Sequence, residues 1–508
     1  MSDSDFGKLR TFLWPIHRSE LKQFVPMLVV FFLICFNYNL LRAAKDALVV
    51  TAPKSGAEVI PYLKVWAIVP AAFLMTFIFT RLSNKLSREN LFYVLFSIFL
   101  LFFLLFAFVL YPFRDYLHPT TTADWCQAHL PLGCKGLIAV FRNWTFTLFY
   151  IMSEMWSTII MTVLFWGFAN EVTSVKDATR FYGLFGVGAN FSGIFSGQMS
   201  MAISSHAYNP SLPFGRDSWG QAVVILCLIV IFTGIACMAL FRYLHTKGLG
   251  YNSLPHIPKK KPTSIKMGMR KNFAFLSKSK YLLLIALIVV TYNISENLIE
   301  VVWKDQVRQL YPNPEEFNAY MGKVLTAIGI IATSAALFVS GNVIRQFGWT
   351  VSALIPPAII LLTGTCFFSY LLFKLSFLSS MALFLGCTPL ALGVFFGSLQ
   401  NCLARASKYT LFDATKELAF VPLSLESKLK GKAAIDGVGS RLGKSGGSLI
   451  HQSLLLLFGT VALSTPVVGV LLLFSVGGWI LAVKALGREF YTLSEQSPAA
   501  ETLKPLIP

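Results

Sequence analysis

Long apolar runs of about twenty residues, separated by short polar stretches, recur along the whole chain. An α-helix needs about 20 apolar residues to cross the hydrocarbon core of a membrane. We predict twelve such helices, at about residues 24–41, 62–80, 91–111, 136–170, 181–203, 222–243, 281–303, 321–340, 351–373, 381–403, 439–461 and 466–486. The fourth run is too long for one upright helix and has no clear break, so we expect one long tilted helix there. The pattern thus predicts an all-α membrane protein.

The composition agrees, because 55% of the 508 residues are hydrophobic and only 13% are charged. The formal net charge of +19 raises the question of nucleic-acid binding. The stretch 242–280 contains ten basic residues and no acidic one. Further basic residues lie in the turns on the same predicted side: Arg81, Lys85, Arg88, Lys176, Arg180, Arg345, Arg405, Lys408, Lys416 and Lys428. Few lie on the opposite side, among them Lys54, Arg114, Arg216 and Lys304. Because cytoplasmic loops are rich in Lys and Arg, we expect both termini in the cytoplasm and no nucleic-acid partner.

The predicted helices form two sets of six around the basic stretch. Gly186-Val187-Gly188, in the fifth helix, recurs as Gly437-Val438-Gly439 at the start of the eleventh. Six plus six helices with a weak repeat are typical of a major-facilitator-like transporter. We predict a cytoplasmic N-terminus (1–23), an N-terminal six-helix bundle (24–243), a basic linker (244–280), a C-terminal bundle (281–486) and a cytoplasmic tail (487–508). The first apolar run is followed by charged residues and further helices rather than a cleavage site, so we do not interpret it as a signal peptide.

Charged residues inside predicted membrane helices are costly and therefore mark candidate functional sites. Here they are Lys64, Arg142, Glu154, Glu296, Glu300, Arg441 and Lys444, with Arg42, Lys45 and Asp46 at the end of the first helix and Arg180 at the start of the fifth. We interpret Arg42 and Lys45 as side chains that reach from a helix end to the interface. We expect Lys64, Glu154, Glu300 and Lys444 to face a cavity, and buried ion pairs between helices remain the alternative.

The stretch 432–447 combines several charges with five glycines just before the eleventh helix. Its charged residues are Lys432, Asp436, Arg441 and Lys444. It superficially resembles a phosphate-binding loop, but Val438 stands where that motif needs glycine and no strand precedes it. A nucleotide hydrolase is therefore disfavoured.

Basic residues from both bundles that meet near a central cavity would suit an anion with several charges. Glu154 and Glu300 would pair with the lysines when substrate is absent, or one of them would carry a proton, since burial raises a carboxyl pKa. Tyr150 is one of several aromatic residues of the fourth helix on which a base could stack, although helix packing accounts for such residues equally well.

Several longer motifs together resemble the nucleotide transporter family of obligate intracellular bacteria and plastids, the ATP/ADP translocases. They are Leu41-Arg42-x-x-Lys45-Asp46-x-Leu48-Val49-Val50-Thr51-Ala52, Ile60-Pro61-x-Leu63-Lys64-x-Trp66, Phe165-Trp166-Gly167-Phe168-Ala169-Asn170, Glu300-Val301-x-Trp303-Lys304, Phe412-Asp413-Ala414-Thr415-Lys416-Glu417, and Gly431-Lys432-Ala433-Ala434-Ile435-Asp436 with Gly443-Lys444-Ser445-Gly446-Gly447. The resemblance implies nucleotide exchange or import, with the family's functional charges on Lys64, Glu154, Glu300 and Lys444. The chain departs from the family at Ala43-Ala44, where Asp-Thr is usual. Because nothing like a plastid transit peptide precedes the first helix, we expect a bacterial inner membrane.

We therefore predict a transporter that exchanges ATP for ADP by alternating access, and not an enzyme. Its partners would be ATP, ADP and other nucleoside triphosphates as candidates, together with the lipid bilayer; we expect a monomer with no cofactor and no metal. Proton-coupled import of nucleoside triphosphates is the main alternative. A membrane enzyme acting on a phosphorylated lipid is a remote one, since no segment holds a His/Asp or metal-ligand constellation. Cys126 and Cys134 share one polar loop, so a disulfide between them stays open.

Overall fold

The structure is a computed structural model that describes residues 16–173, 175–247, 279–338, 340–373, 384, 386–435 and 439–495. The described residues form helices and connections, without strands. Nine of the helices in these residues are long and apolar enough to cross a membrane. We use "N-terminal segment" for residues 16–247 and "C-terminal segment" for residues 279–495. The expectation of an all-α membrane protein is therefore confirmed.

The N-terminal segment contains eight helices longer than one turn. They are α1 (Leu21–Val50), α2 (Val59–Lys85), α3 (Arg88–Leu110), α4 (Thr120–His129), α5 (Lys135–Arg142), α6 (Trp144–Val172), α7 (Val175–Ser204) and α8 (Ser218–Thr246). Single turns at Arg114–Leu117 and Leu132–Cys134 complete the connection from α3 to α5. Two helices begin at side-chain caps, because Ser87 accepts a hydrogen bond from the Asn90 amide and Asp217 accepts one from the Gly220 amide.

The C-terminal segment contains a second series of helices. They are α9 (Lys280–Leu310), α10 (Pro314–Phe338), α11 (Ser340–Phe373), α12 (Pro389–Ser407), α13 (Asp413–Ala419), α14 (Leu425–Ala434), α15 (Ser440–Phe458) and α16 (Val461–Glu495). A π-helical turn, Lys408–Phe412, joins α12 to α13. Non-helical dihedral angles at Gly348 (φ 74°, ψ 177°) kink α11. Most of these helices overlap the predicted ones, but α12 begins at Pro389, after a Thr388 cap.

The first helix is longer than predicted, which changes the position of its charges. The sequence prediction ended it at Leu41, whereas α1 continues to Val50. Lys45 and Asp46 are consequently inside the helix and almost fully buried, with 3% and 0% of their surface exposed. The interpretation of Lys45 as a side chain at a helix end was therefore wrong. The helix continues because alanines and aliphatic residues surround the two charges, which neutralise each other.

The predicted fourth helix is in fact two helices. Asn143 (φ −105°, ψ 47°) separates α5 from α6, and its side-chain amide donates to the Pro53 carbonyl at 3.4 Å. Arg142 then leaves the path of α6 and pairs with Asp124 of α4 at 2.6 Å. The polar partners of this corner explain why one tilted helix does not form.

One side of the bundle is tightly closed; we call it the closed side. It holds the connection 51–58 and the Leu132–Cys134 turn, and it joins the two segments. A Cβ added at Gly133 would lie 2.4 Å from the Leu455 carbonyl oxygen and 2.6 Å from the Leu456 Cα of α15. Real side chains do not approach backbone so closely, so only glycine fits here. The Tyr62 hydroxyl, from α2, fixes this turn by donating to the Gly133 carbonyl at 2.7 Å.

Hydrogen bonds between α2 and α15 reinforce the closed side. The Gln452 side-chain amide donates to the Pro61 carbonyl at 2.8 Å, and the Trp66 indole donates to the Gln452 side-chain oxygen at 3.1 Å. Further along, the Val59–Ala67 part of α2 packs against α15, whereas the Ile68–Lys85 part has no buried residue. Helix α2 therefore packs against the C-terminal segment through its Val59–Ala67 end.

The contact between α7 and α10 is also tighter towards the closed side than at the other end of α7. A Cβ at Gly197 would lie 2.5 Å from the Gly322 carbonyl oxygen, so these helices approach backbone to backbone. Nearer the closed side, the Asn318 amide donates to the Ser204 hydroxyl at 2.8 Å. Towards the other end of α7, Cβ atoms at Gly183 and Gly186 would meet nothing within 4 Å. We call this other end of the bundle the open side.

The loop cysteines do not form the disulfide that was left open. Cys126 and Cys134 are both free thiols and both partly exposed. The connection that holds them is instead tied down by ion pairs, because Asp124 contacts Lys54 at 2.7 Å as well as Arg142. Hydrogen bonds from Lys54 and Arg142 hold the pKa of the Asp124 carboxyl below its usual value.

Candidate substrate site

A network of six charged side chains occupies the centre of the bundle. It consists of Lys45, Asp46, Lys64, Glu154, Glu300 and Lys304. Four of these residues come from the N-terminal segment, on α1, α2 and α6, and two come from α9 of the C-terminal segment. Three lysines balance three carboxylates, so the network is neutral. Buried charges are tolerated when each has such partners.

Two ion pairs join the segments. Lys64 Nζ lies 2.7 Å from Glu300 Oε2 and also donates to the Asn297 side-chain oxygen at 2.5 Å. Lys304 Nζ lies 2.7 Å from Asp46 Oδ2 and 2.7 Å from Glu300 Oε1. Glu300 thus accepts from a lysine of each segment and forms the central node.

The exposure of these side chains varies along the network. The side chains of Lys304 and Asp46 are 2% and 1% exposed, whereas those of Lys64 and Glu300 are 19% and 16% exposed. Glu154 is 28% exposed and is the most accessible member. The network therefore has a dry end, which packs inside the bundle, and an accessible end, which a ligand can reach.

Lys45, which is itself buried, links the dry end of the network to Glu154 at the accessible end. Its Nζ lies 3.0 Å from both Asp46 Oδ1 and Glu154 Oε1. The same ammonium group lies 3.8 Å from the ring centre of Tyr150, a distance at which a cation interacts favourably with an aromatic face. Tyr150 is itself buried. It therefore positions a lysine, and its face is not open for a base to stack.

Irregular helix turns accompany several of these residues. Lys64 lies in the π-helical turn Leu63–Ala67 of α2, and Glu154 lies two residues before the π-helical stretch Trp156–Phe165 of α6. π-Helical turns are rare and are frequent at functional sites. Each adds a residue to a turn of the helix, which changes the direction in which nearby side chains point.

Lys444 is placed differently from the other three candidates. It lies on α15, is exposed, and makes no ion pair among the described residues. Glu154, Lys408, Lys64 and Glu300 act on it electrostatically, so it faces the accessible end of the network. Its ammonium group is therefore in position for an anionic ligand. The sequence prediction had paired the glutamates with the lysines in general, whereas the structure pairs Lys64 with Glu300 and Glu154 with Lys45.

The remaining candidates lie away from the network. Arg441 is exposed on α15, one turn before Lys444. Lys432, on α14, forms an exposed ion pair with Glu417. Arg180 pairs with Glu20 at 2.6 Å and with Asp177 at 2.5 Å at the open side, where it fixes the start of α1 against α7.

Asp436 lies outside the described residues, as do Gly437 and Val438 of the proposed repeat. The flanking parts of the glycine-rich stretch are helical, in α14 and α15. A phosphate-binding loop at this place is thus not supported by the residues described on either side.

Sequence reasoning missed three members of the network. Lys45 and Asp46 were assigned to a helix end, and Lys304 was assigned to the surface opposite the cytoplasm. The structure buries all three. A signal for Lys304 exists in the sequence, because it follows Glu300 by four residues and such a pair shares one helix face.

Comparison with known proteins identifies the family. The sequence model of the TLC ATP/ADP transporter family matches residues 1–490. A similar protein, called ADP,ATP carrier protein 1, from Chlamydia pneumoniae, is 45% identical over 510 residues, covering 99% of this chain and 98% of that protein. The chloroplastic ADP,ATP carrier protein 2 of Arabidopsis thaliana is 43% identical over 484 residues, covering 95% of this chain and 77% of that protein.

Solved structures with low sequence identity share the fold. A bacterial homologue of the iron transporter ferroportin in an inward-facing state has a TM-score of 0.60 at 13% identity, covering 94% of this chain and all of that one. A D-xylose–proton symporter has a TM-score of 0.50 at 12% identity, covering 92% of this chain and 97% of that one. The fold is therefore major-facilitator-like. The family match over nearly the whole chain goes further, and it shows that this membrane protein is a transporter belonging to the TLC ATP/ADP transporter family.

Proposed function

We propose that this transporter exchanges ATP for ADP by alternating access between two six-helix bundles, residues 24–243 and 281–486, in a twelve-helix arrangement. The observation that carries the proposal is the pair of contacts made by Glu300, with Lys64 of one segment and Lys304 of the other. This node lies between segments whose contact through α2 and α15 is confined to the Val59–Ala67 end of α2, on the closed side. Alternating access needs such a central site between two bodies that rock around it.

The closed and open sides support an orientation. Basic residues such as Arg81, Lys85 and Arg88 lie at the open side, which would therefore face the cytoplasm. In that orientation both termini are cytoplasmic and the protein would be open inward, as the ferroportin homologue is described to be. The chlamydial relatives are bacterial proteins, which supports a bacterial inner membrane.

The charges near the node fit a nucleotide with several phosphates. Lys444 supplies a positive charge without an ion pair in the described structure, and Lys64 supplies a second one once it leaves Glu300. Ammonium groups are frequent phosphate partners because they donate in three directions. We propose that Lys64, Glu154, Glu300 and Lys444 carry transport, with Lys45 and Tyr150 positioning Glu154. Arg441 and Lys432 would act nearer the entrance, and Asp436 stays a candidate from the sequence.

Obligate exchange would follow if Glu300 and the nucleotide's phosphate compete for Lys64. When phosphate does not hold this lysine, Glu300 does, and the two segments are then tied by a short ion pair. A nucleotide that takes Lys64 would release the segments so that they can reorient. Without nucleotide the tie would persist, and net efflux of the cell's nucleotide pool would be prevented.

Uptake of labelled ATP into vesicles containing the purified protein tests this function. One set of vesicles is empty, and a matched set is preloaded with ADP. Exchange predicts uptake only into the preloaded set. Equal uptake into empty vesicles, increased by an inward proton gradient and abolished by an uncoupler, would instead establish proton-coupled import of nucleoside triphosphates.

Release of free phosphate from a phosphorylated lipid, without nucleotide uptake, would contradict transport altogether. The same vesicles give the substrate range, because unlabelled CTP, GTP and UTP can be tested as competitors of ATP.

A further inference from the structure

Two arginines that the proposed function has not used face one cavity between the segments. The cavity lies between α1, α9, α10 and α12, and Arg42 and Arg405 line it together with Asp46, Trp303, Lys304 and Asn401. Arg42 comes from the N-terminal segment and Arg405 from the C-terminal segment. Both side chains are partly exposed. The sequence analysis had assigned Arg42 to a helix end and Arg405 to a cytoplasmic turn, whereas Arg42 lies inside α1 and Arg405 lies in the last turn of α12.

Neither arginine has an ion pair within the described parts of the chain. Glu296, Glu300 and Asp46 act on Arg42 electrostatically, but none of them is close enough to form an ion pair with it. Lys64 and Lys304 hold Glu300, and Lys45 and Lys304 hold Asp46, so two of these three carboxylates are already engaged. Positive charge that faces a cavity in a membrane protein without a direct ion pair marks a functional position.

Arg405 is held in place by a neighbour. Its Nε donates to the Asn401 side-chain oxygen at 2.9 Å, and Asn401 is 4% exposed. This bond fixes the plane of the guanidinium and leaves both Nη groups for another acceptor. A fixed guanidinium can grip two oxygens of one phosphate, which a lysine cannot do.

We propose that Arg42 and Arg405 form a phosphate-binding pair that takes the nucleotide's phosphates before Lys64 is released. This inference rests on the proposed function. Phosphate can engage the two guanidiniums without breaking any ion pair, whereas engaging Lys64 requires its separation from Glu300. Because one arginine belongs to each segment, a phosphate held by both connects the segments while the Lys64 tie opens.

The proposal predicts that the arginines contribute in proportion to the phosphates that a ligand carries. The experiment measures Kd by calorimetry for ATP, ADP, AMP and adenosine with the purified full chain. The variants are Arg42→Gln, Arg405→Gln and the conservative Arg405→Lys. Arg488→Gln, at an exposed position of α16, is the matched control.

Each glutamine variant is expected to weaken ATP and ADP binding by about 10- to 100-fold, because a hydrogen bond to a charged group is lost. AMP should lose less, and adenosine should bind unchanged. Arg405→Lys should be intermediate, since it keeps the charge but not the two-pronged grip. Arg488→Gln should bind every ligand as the unmodified protein does.

Equal losses for all four ligands would mean that the arginines support the fold only, and would overturn the inference. Unchanged ATP binding in both glutamine variants would overturn it as well, while leaving the proposed exchange intact. Failure of the unmodified chain to bind ATP at all would overturn the proposed function itself and the inference with it. If a glutamine variant does not fold, the corresponding lysine variant, Arg42→Lys or Arg405→Lys, is tested instead. The measurement is the concentration of pyrophosphate that displaces bound ATP. The inference predicts that pyrophosphate competes less well with the lysine variant than with the unmodified protein, and equal competition would overturn it.

Discussion

Replacement of Lys304 by methionine should destabilise the protein more than any loss of a surface ion pair. Lys304 Nζ contacts Asp46 and Glu300, each at 2.7 Å, and its side chain is 2% exposed. Methionine of similar length would leave the neutral network with one excess negative charge in a dry place. Breaking a buried pair by removing one partner costs about 3–5 kcal/mol of the free energy of unfolding.

The matched control is Lys280→Met, which removes an exposed pair. Lys280 contacts Glu489 at 2.8 Å, but the two side chains are 74% and 37% exposed. Such pairs contribute about 0–1 kcal/mol. Unfolding of both variants by sodium dodecyl sulfate in mixed micelles should therefore separate them clearly.

A double variant tests the charge balance directly. Lys304→Met with Asp46→Asn restores neutrality, so it should recover part of the stability that Lys304→Met loses. If Lys304→Met proved no less stable than Lys280→Met, or if the second substitution simply added its own cost, the network would not be a set of mutually compensating charges and the reasoning would be refuted.

Three further predictions concern the closed side, the cavity and the connection between α3 and α6. Gly133→Ala should slow exchange, because its methyl group would separate the segments at the closed side. Gly183→Ala, at a position with open space, should exchange as the unmodified protein does. Lys444→Ala should abolish exchange yet leave the midpoint of thermal unfolding within about two degrees, since no ion pair of the described structure is broken. The pKa of Asp124 is lowered by hydrogen bonds from Lys54 and Arg142, so its contribution to stability is full above the unfolded pKa and is lost as pH falls through the folded one. The protection factors of the α4 amides, which correct for the slower intrinsic exchange in acid, should therefore fall upon acidification, and Asp124→Asn should show the lower protection already at neutral pH.

The sequence predicted most of the helices because an apolar run of about twenty residues is long enough to span a membrane and too apolar for a surface loop. It also selected Lys64, Glu154 and Glu300, since a charge within such a run requires a partner or a cavity. It could not predict the pairing, because the partners of Lys64 and Lys304 lie 236 and 258 residues away and the choice between them depends on packing.

Two predictions about individual helices were wrong for identifiable reasons. The prediction ended α1 at the first cluster of charges, although an adjacent lysine and aspartate neutralise each other and the helix continues. At Asn143 the helix breaks within an apolar run, because polar partners in the connecting loop hold the corner. Neither outcome can be derived from hydrophobicity alone, since the first depends on the pairing of adjacent charges and the second on groups that fold against the corner from elsewhere.

The neutrality of the central network has a consequence for the response to membrane voltage. Three lysines and three carboxylates move together, so their reorientation carries no net charge across the electric field. ATP carries one more negative charge than ADP, and a potential of 100 mV acts on one charge with about 2.3 kcal/mol. Voltage would therefore drive the exchange mainly through the nucleotides and the cations that hold their phosphates. The network ties the two segments together and, because it is neutral, does not itself sense voltage.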